Sequence, residues 1–155
     1  MEGTLPKSNS LSGKKRVDPY SAYSFIVEIE GLTVAGFTEV SGLDIETEVE
    51  IIREGGANGI EYKLPKGTKY SNITLKRGIT DSDLIWQWYD DAINGKVKRK
   101  DGLIFLCDQD GSPLVTWSFV DAYPIKLNGP SLNAITGTIA TETLTLAHHG
   151  LKRIP

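Results

Sequence analysis

The chain has 155 residues, 39% hydrophobic and 24% charged, with 17 basic against 20 acidic residues and a formal net charge of -3. That is one ordinary domain, long enough to bury about 70% of its unfolded surface without a disulfide or a metal. The mildly acidic balance argues against nucleic-acid binding driven by net positive charge, and no apolar run approaches the roughly 20 residues a membrane helix needs. A single cysteine, Cys107, rules out an internal disulfide and fits a reducing cytoplasm, and with two histidines it supplies too few donors for a tetrahedral zinc site of His and Cys ligands. Metal binding through carboxylates alone stays open. The polar start Met1–Lys7 has no apolar signal core, so a secretory leader is not expected.

Residues 1–19 read as a tail, flexible or ordered only by a partner. They contain Ser8, Asn9, Ser10, Ser12 and Gly13, and carry Lys7, Lys14, Lys15 and Arg16 against Glu2 and Asp18. The folded domain is expected over 20–155. Tyr23, Phe25, Val27 and Ile29 alternate with Ser24, Ile26, Glu28 and Glu30, the period of a half-buried strand. Gly31 breaks it, a second extended stretch covers Leu32–Val40, and Ser41–Gly42 breaks again. Ile45, Thr47, Val49 and Ile51 then alternate with Glu46, Glu48 and Glu50, a third strand with one acidic face. Residues 53–69, with Gly55, Gly56, Gly59, Pro65 and Gly67, read as a long loop of the functional kind. Tyr70–Ile79 is strand-like.

One helix follows. Thr80 is its expected N-cap, with Asp81 and Asp83 in the first turn. Leu84, Ile85, Trp88, Tyr89, Ala92 and Ile93 fall on one apolar face, and Asn94-Gly95 is the stop. Leu103–Cys107 and Leu114–Val120 flank the turn Asp108–Ser112 as a hairpin. The last strand is expected over about 137–147. The sum is mainly β: seven or eight strands in two packed antiparallel sheets, sandwich or barrel, with one flanking helix.

The chemical candidates have plainer explanations. His148 and His149 are adjacent, so in a strand they point to opposite faces and cannot readily share a metal; a solvated strand end is the expectation. Cys107 ends the apolar run 103–106 and is expected to be buried and inert. Asp108-Gln109-Asp110-Gly111 starts like a calcium loop but lacks the later ligands, so a turn is expected. The glycine-rich 53–59 lacks the Lys-Ser/Thr ending of a phosphate loop. Lys96, Lys98, Arg99 and Lys100 lack interleaved aromatics and read as a solvated helix exit. Trp88 belongs to the core; Trp86 is either rim packing or an exposed contact.

One pattern stands out. Seven acidic residues and no basic one lie between Glu28 and Glu50; five basic residues and no acidic one lie between Lys63 and Arg77. Such opposed blocks suit head-to-tail self-association, a basic loop of one copy meeting acidic strands of the next. The alternative is that the blocks pair within one subunit.

Tyr23-Ser24-Phe25-Ile26-Val27-Glu28-Ile29 followed by Gly36–Leu43 resembles the opening of the contractile-tail tube proteins. Arg53-Glu54-Gly55-Gly56, Lys63-Leu64-Pro65, Lys69-Tyr70 and Ile73–Gly78 resemble the family's middle signature. The Trp88 helix, Val115-Thr116-Trp117 and Glu142–Ala147 complete it in order, over about 20–152. The resemblance implies a structural, non-enzymatic subunit without cofactor, in six-membered rings stacked into a hollow tube inside a contractile sheath. It implies sheath, baseplate and tube-terminating partners, cargo in the lumen, and no stable membrane or specific nucleic-acid binding. Assembly would be in the bacterial cytoplasm, as part of a phage tail or phage-tail-like particle. Residues expected at ring-stacking contacts are Arg53, Lys63, Leu64, Pro65, Lys66, Lys69 and Tyr70 against Glu46, Glu48 and Glu50. The copy is either the repeating tube subunit or the initiator at the baseplate. The alternatives are a small β-barrel that binds or hydrolyses a ligand, carried by His148-His149 and the Asp108/Asp110 pair, and a secreted ring like the type VI secretion tube.

Overall fold

The computed structural model describes residues 24–32, 36–55, 59–80 and 82–155. The expected tail, the start of the domain at residue 20, Tyr23, Asp81 and part of the 53–59 segment lie outside them. Nine strands and one helix occur among the described residues, in the order β1 (Phe25–Ile29), β2 (Phe37–Ser41), β3 (Ile45–Arg53), β4 (Glu61–Tyr70), β5 (Ile73–Gly78), α1 (Leu84–Ile93), β6 (Lys100–Cys107), β7 (Pro113–Asn128), β8 (Thr141–Ala147) and β9 (Gly150–Ile154).

The 16-residue β7 organises the molecule. Its first half pairs with β6 on one side and β9 on the other, from Val115↔Leu106 and Thr116↔Ile154 to Val120↔Gly150. Its second half pairs with β8, from Tyr123↔Ala147 to Asn128↔Thr143. Between the halves, Asp121 has φ +54°, and its N–H is held by Asp101 Oδ1 at 3.0 Å. A non-glycine residue there costs conformational energy and marks the place where the strand passes from one sheet to the other. The path β1-β6-β7-β8-β5-β2 is open, with β1 and β2 as its ends and β9 branching from β7. Of the two expected arrangements, the barrel is therefore overturned: among the described residues no sheet closes on itself. Closure needs the end strands to pair, and here each pairs with one neighbour only.

A single core joins the inward residues of both sheets and the helix. Val27, Ile29, Ile104, Phe119 and Leu151 come from the first sheet, Ile73, Leu75, Leu144 and Leu146 from the second, and Ile85 and Trp88 from α1. The period-two alternation of β5 and β8 aims these residues inward. On β8 it also turns Glu142 into the core, in line with Leu144 and Leu146.

The helix begins later than its sequence suggests. Its N-cap is Asp83, without a side-chain capping bond, and its first turn holds no acidic residue. Thr80 Oγ1 instead accepts from the Ser82 N–H at 3.3 Å, and the Ser82 carbonyl receives Arg77, which fixes this segment as a turn outside the helix. Asp83 spends its carboxylate on the Gln87 amide. The stop is as expected: Gly95 has φ +81°, Lys96 N–H reaches the Asp91 carbonyl and Gly95 N–H the Ala92 carbonyl, a Schellman motif. The strand expected over about 137–147 as the last is shorter, β8, and is followed by a further strand, β9, that the sequence reading did not include; 129–140 forms no strand.

Candidate functional site

Residues 53–69, expected as a loop, are largely strand. β3 and β4 form a two-stranded antiparallel sheet of their own, from Ile45↔Tyr70 to Arg53↔Glu61. At about 3.3 Å per residue the arm is about 30 Å long. Its pattern was unreadable as a strand because both faces are exposed in the single chain, so β4 shows no apolar alternation. Pro65 and Gly67 add to the disguise. Pro65 is tolerated because, among the described residues, β4 pairs only with β3 and because a bulge lies here: Glu48 faces Gly67 and Val49 faces Pro65, leaving Lys66 as the extra residue.

The arm gathers all ten residues expected at stacking contacts. One face carries Glu46, Glu48 and Glu50, with Lys69 opposite Glu46 and Leu64 opposite Glu50. Lys69 Nζ pairs with Glu48 Oε1, and that carboxylate pushes the Lys69 ammonium above its ordinary 10.5. Arg53 pairs with Glu61 at 3.0 Å. Lys63 and Lys66 make no ion pair among the described residues. Two members of the opposed blocks thus meet within one chain, while other charges of both signs remain on the arm surface.

The opposite face is apolar. Ile45, Val49 and Ile51 are 57%, 51% and 54% exposed there, while Ile52, Tyr62 and Leu64 are exposed toward the tip on the face of the glutamates. A thin arm with this much apolar surface has not buried what its sequence offers to bury. The alternation of Ile45, Val49 and Ile51 marks β3 as a strand in the sequence, but not that this face stays exposed. The 129–140 segment, which carries no sequence expectation of a contact, also exposes Leu132, Ile135 and Ile139, at 80%, 94% and 84%.

The other candidates are structural. His148 is not solvated but buried: its Nδ1 lies 3.1 Å from the Gly150 carbonyl oxygen and its Nε2 2.8 Å from that of Ser71, against the rings of Tyr70 and Phe119. The chain doubles back into β9 here and covers the ring. His149 is exposed beside Arg99 and Asp121. Cys107 is buried. Asp108 Oδ1 accepts from the Asp110 and Ser112 N–H groups, closing the hairpin turn. Lys98 pairs with Asp91, Arg99 lies over the Tyr123 ring, and Lys100 Nζ donates to the Glu30 carbonyl. Trp88 is buried; Trp86 is half exposed, with its indole N–H on Glu142. Among the described residues no group of three or more His, Cys, Asp or Glu could hold a metal, and no helix is long and apolar enough to cross a membrane.

The family model described as T4-like virus tail tube protein gp19 matches residues 21–152. The chain is 30% identical to a chain of an extracellular contractile injection system, the PVC sheath-tube complex in its extended state, covering 88% of this chain and 91% of that one at a TM-score of 0.80. It is 29% identical to a chain of the anti-feeding prophage cap, described as the tube-terminating cap, covering 95% and 98% at a TM-score of 0.84. Hcp1 from Flavobacterium johnsoniae shares the fold, at 19% identity, a TM-score of 0.56 and coverage of 83% and 93%. None of the curated proteins matches.

Proposed function

The chain belongs to the T4-like virus tail tube protein gp19 family, and from that premise we propose that it builds the inner tube of a contractile injection system as hexameric rings stacked into a hollow conduit. It is a structural subunit, repeating along the tube or placed at its baseplate end. The arm carries this reading: among the described residues a β3–β4 ribbon pairs with no other strand and exposes Ile45, Val49 and Ile51 together with charges of both signs that make no ion pair. A neighbouring copy would bury the apolar face and meet Glu46, Glu50, Lys63 and Lys66. Contacts of this kind are heterologous, so they propagate into a filament rather than closing in pairs. Sheath, baseplate and tube-terminating proteins are the partners, by likeness to the PVC and anti-feeding prophage chains. Cargo would pass the lumen under weak contact only, and the particle would be released outside the cell that builds it.

The direct test is negative-stain imaging of the purified chain at rising concentration, alone and with sheath and baseplate proteins. Rings and tubes are expected. A chain that stays monomeric under every one of these conditions would overturn the assignment.

A further inference from the structure

The apolar face of the arm prolongs the core. At its foot Ile45 stands opposite Tyr70, and Tyr70 packs against the core cluster; Val49 and Ile51 carry the same face outward, about half exposed. Between Ile45 and Val49 this face holds no charge: Thr47 lies opposite Thr68 and Val49 opposite Pro65, while the glutamates and Lys69 take the other face. A cover for it must itself be uncharged, because a charge brought onto it would lose water without gaining a partner.

The chain holds such a cover. Its longest uncharged run is 127–141, which contains the segment that links β7 to β8. Leu132 and Ile135 are 80% and 94% exposed there, so nothing among the described residues covers them. The segment is shaped by its own bonds: the Ile135 N–H donates to Asn133 Oδ1 at 3.0 Å, and Gly137, with φ +58°, turns the chain back.

The two surfaces lie at opposite ends of the second sheet. The arm joins it at the Ile73 end of β5, where the Ser71 N–H donates to the Asp44 carbonyl at 3.2 Å. The 129–140 segment joins it at the Gly78 end, where Gly78 faces Thr141 and the Ile79 N–H donates to the Ala140 carbonyl at 3.0 Å. β5 advances about 17 Å between these ends. A surface and its cover placed in this way meet head to tail between copies, the heterologous arrangement that builds filaments.

Resting on the reading of the chain as a ring subunit that stacks, we propose that the 129–140 segment of one copy seats on the arm of a copy in the next ring, Leu132 and Ile135 against Ile45, Val49 and Ile51. A few side chains on each side bury roughly a few hundred Å² per partner, below the about 800 Å² per partner of a standard stable complex. The contact therefore holds when it is repeated around a ring, and isolated chains stay apart.

The test uses the full chain, whose Cys107 is buried. Tubes of Val49→Cys/Ile135→Cys are oxidised and run on a denaturing gel without reductant. The expected product is a ladder of linked copies that runs past the hexamer, with positions 49 and 135 joined in the peptide mass spectrum; tubes mixed from the two single variants give linked pairs only. In a second arm, Leu132→Ser/Ile135→Ser keeps the unfolding midpoint of the natural chain and still forms rings, while tube length falls several-fold. Tubes without the 49–135 link, a ladder that stops at the hexamer, a lowered unfolding midpoint or full-length tubes from the serine variant would each overturn the proposal and leave the stacked-ring reading standing. A natural chain that forms neither rings nor tubes would overturn both.

Discussion

Arg77 and Glu142 face each other across β5 and β8 as a buried ion pair, Nε to Oε1 2.6 Å, with side chains only 3% and 5% exposed. Two further bonds anchor the pair: the second Glu142 oxygen accepts the Trp86 indole N–H at 3.2 Å, and an Arg77 Nη donates to the Ser82 carbonyl at 3.2 Å. The pair thereby ties the approach to α1 and its first turn to the second sheet. Arg77→Met strands a buried carboxylate and is expected to cost about 3–5 kcal/mol in urea unfolding. The double variant Arg77→Met/Glu142→Leu is expected to recover most of that loss. If the double variant is as unstable as the single one, the stranded charge is not the cause.

Gly102 lies under the Phe119 ring, and a Cβ there would stand 2.1 Å from Phe119 Cζ. Phe119 is fully buried and cannot swing away. Gly102→Ala is expected to destabilise the chain by about 1–3 kcal/mol through overpacking. Adding Phe119→Leu should return part of it, measured by thermal unfolding of the two variants side by side.

The two ring nitrogens of His148 face two carbonyl oxygens, of Ser71 at the foot of the arm and of Gly150 at the start of β9, and the tautomer decides which of them accepts the ring N–H. His148→Phe keeps a ring between Tyr70 and Phe119 but removes that donor. A loss of about 1–3 kcal/mol is expected, with faster amide exchange concentrated at 71–73 and 149–151. Uniform loss over the whole chain would contradict a local role.

Lys69 sits on the arm with its ammonium favoured by Glu48, first through the hydrogen bond and then through charge. The folded arm therefore holds this proton to higher pH than an unfolded chain does. The contribution of the pair is complete below the ordinary value of 10.5 and is lost as pH rises through the raised value. Glu48→Gln should bring the Lys69 titration, followed by side-chain NMR, back toward 10.5; an unchanged midpoint would exclude Glu48 as the cause.

Lys63 and Lys66 stand apart from Lys69, since neither is tied within the described chain. Lys63→Glu/Lys66→Glu is expected to shift stability by less than about 0.5 kcal/mol, as exposed substitutions do, while shortening or abolishing tubes seen by electron microscopy. Full-length tubes from this variant would remove these lysines from the stacking contact.

The legible parts of the sequence were those whose burial is decided inside one chain. Ile73, Leu75, Leu144 and Leu146 sit in the core because alternation on one buried face leaves a period of two, and Trp88 sits there because it shares a helical face with Ile85 and Leu84. The arm was legible only at β3. β4 has no buried face in a single chain, so Pro65, Lys66 and Gly67 read as loop residues although they lie in a ladder. Among the candidate residues, Lys63, Lys66, Lys69, Glu46, Glu48 and Glu50 stand out by charge, while Arg53, Leu64, Pro65 and Tyr70 came with the family resemblance, and the structure gathers all ten on one arm; Ile45, Val49 and Ile51 were legible as a strand face, but its exposure is not written in composition. Arg77 and Glu142 were equally hidden. They are 65 positions apart, each sits among residues of ordinary strand pattern, and nothing local marks either as buried.

β7 runs unbroken through both sheets, bending at Asp121. A load applied to one sheet therefore passes to the other along covalent backbone as well as through side-chain contacts. Shearing the layers apart would require stripping β7 from β6 and β9 on one side or from β8 on the other, several hydrogen bonds at once. The subunit is spliced rather than laminated, a construction suited to a part that is pushed from one end.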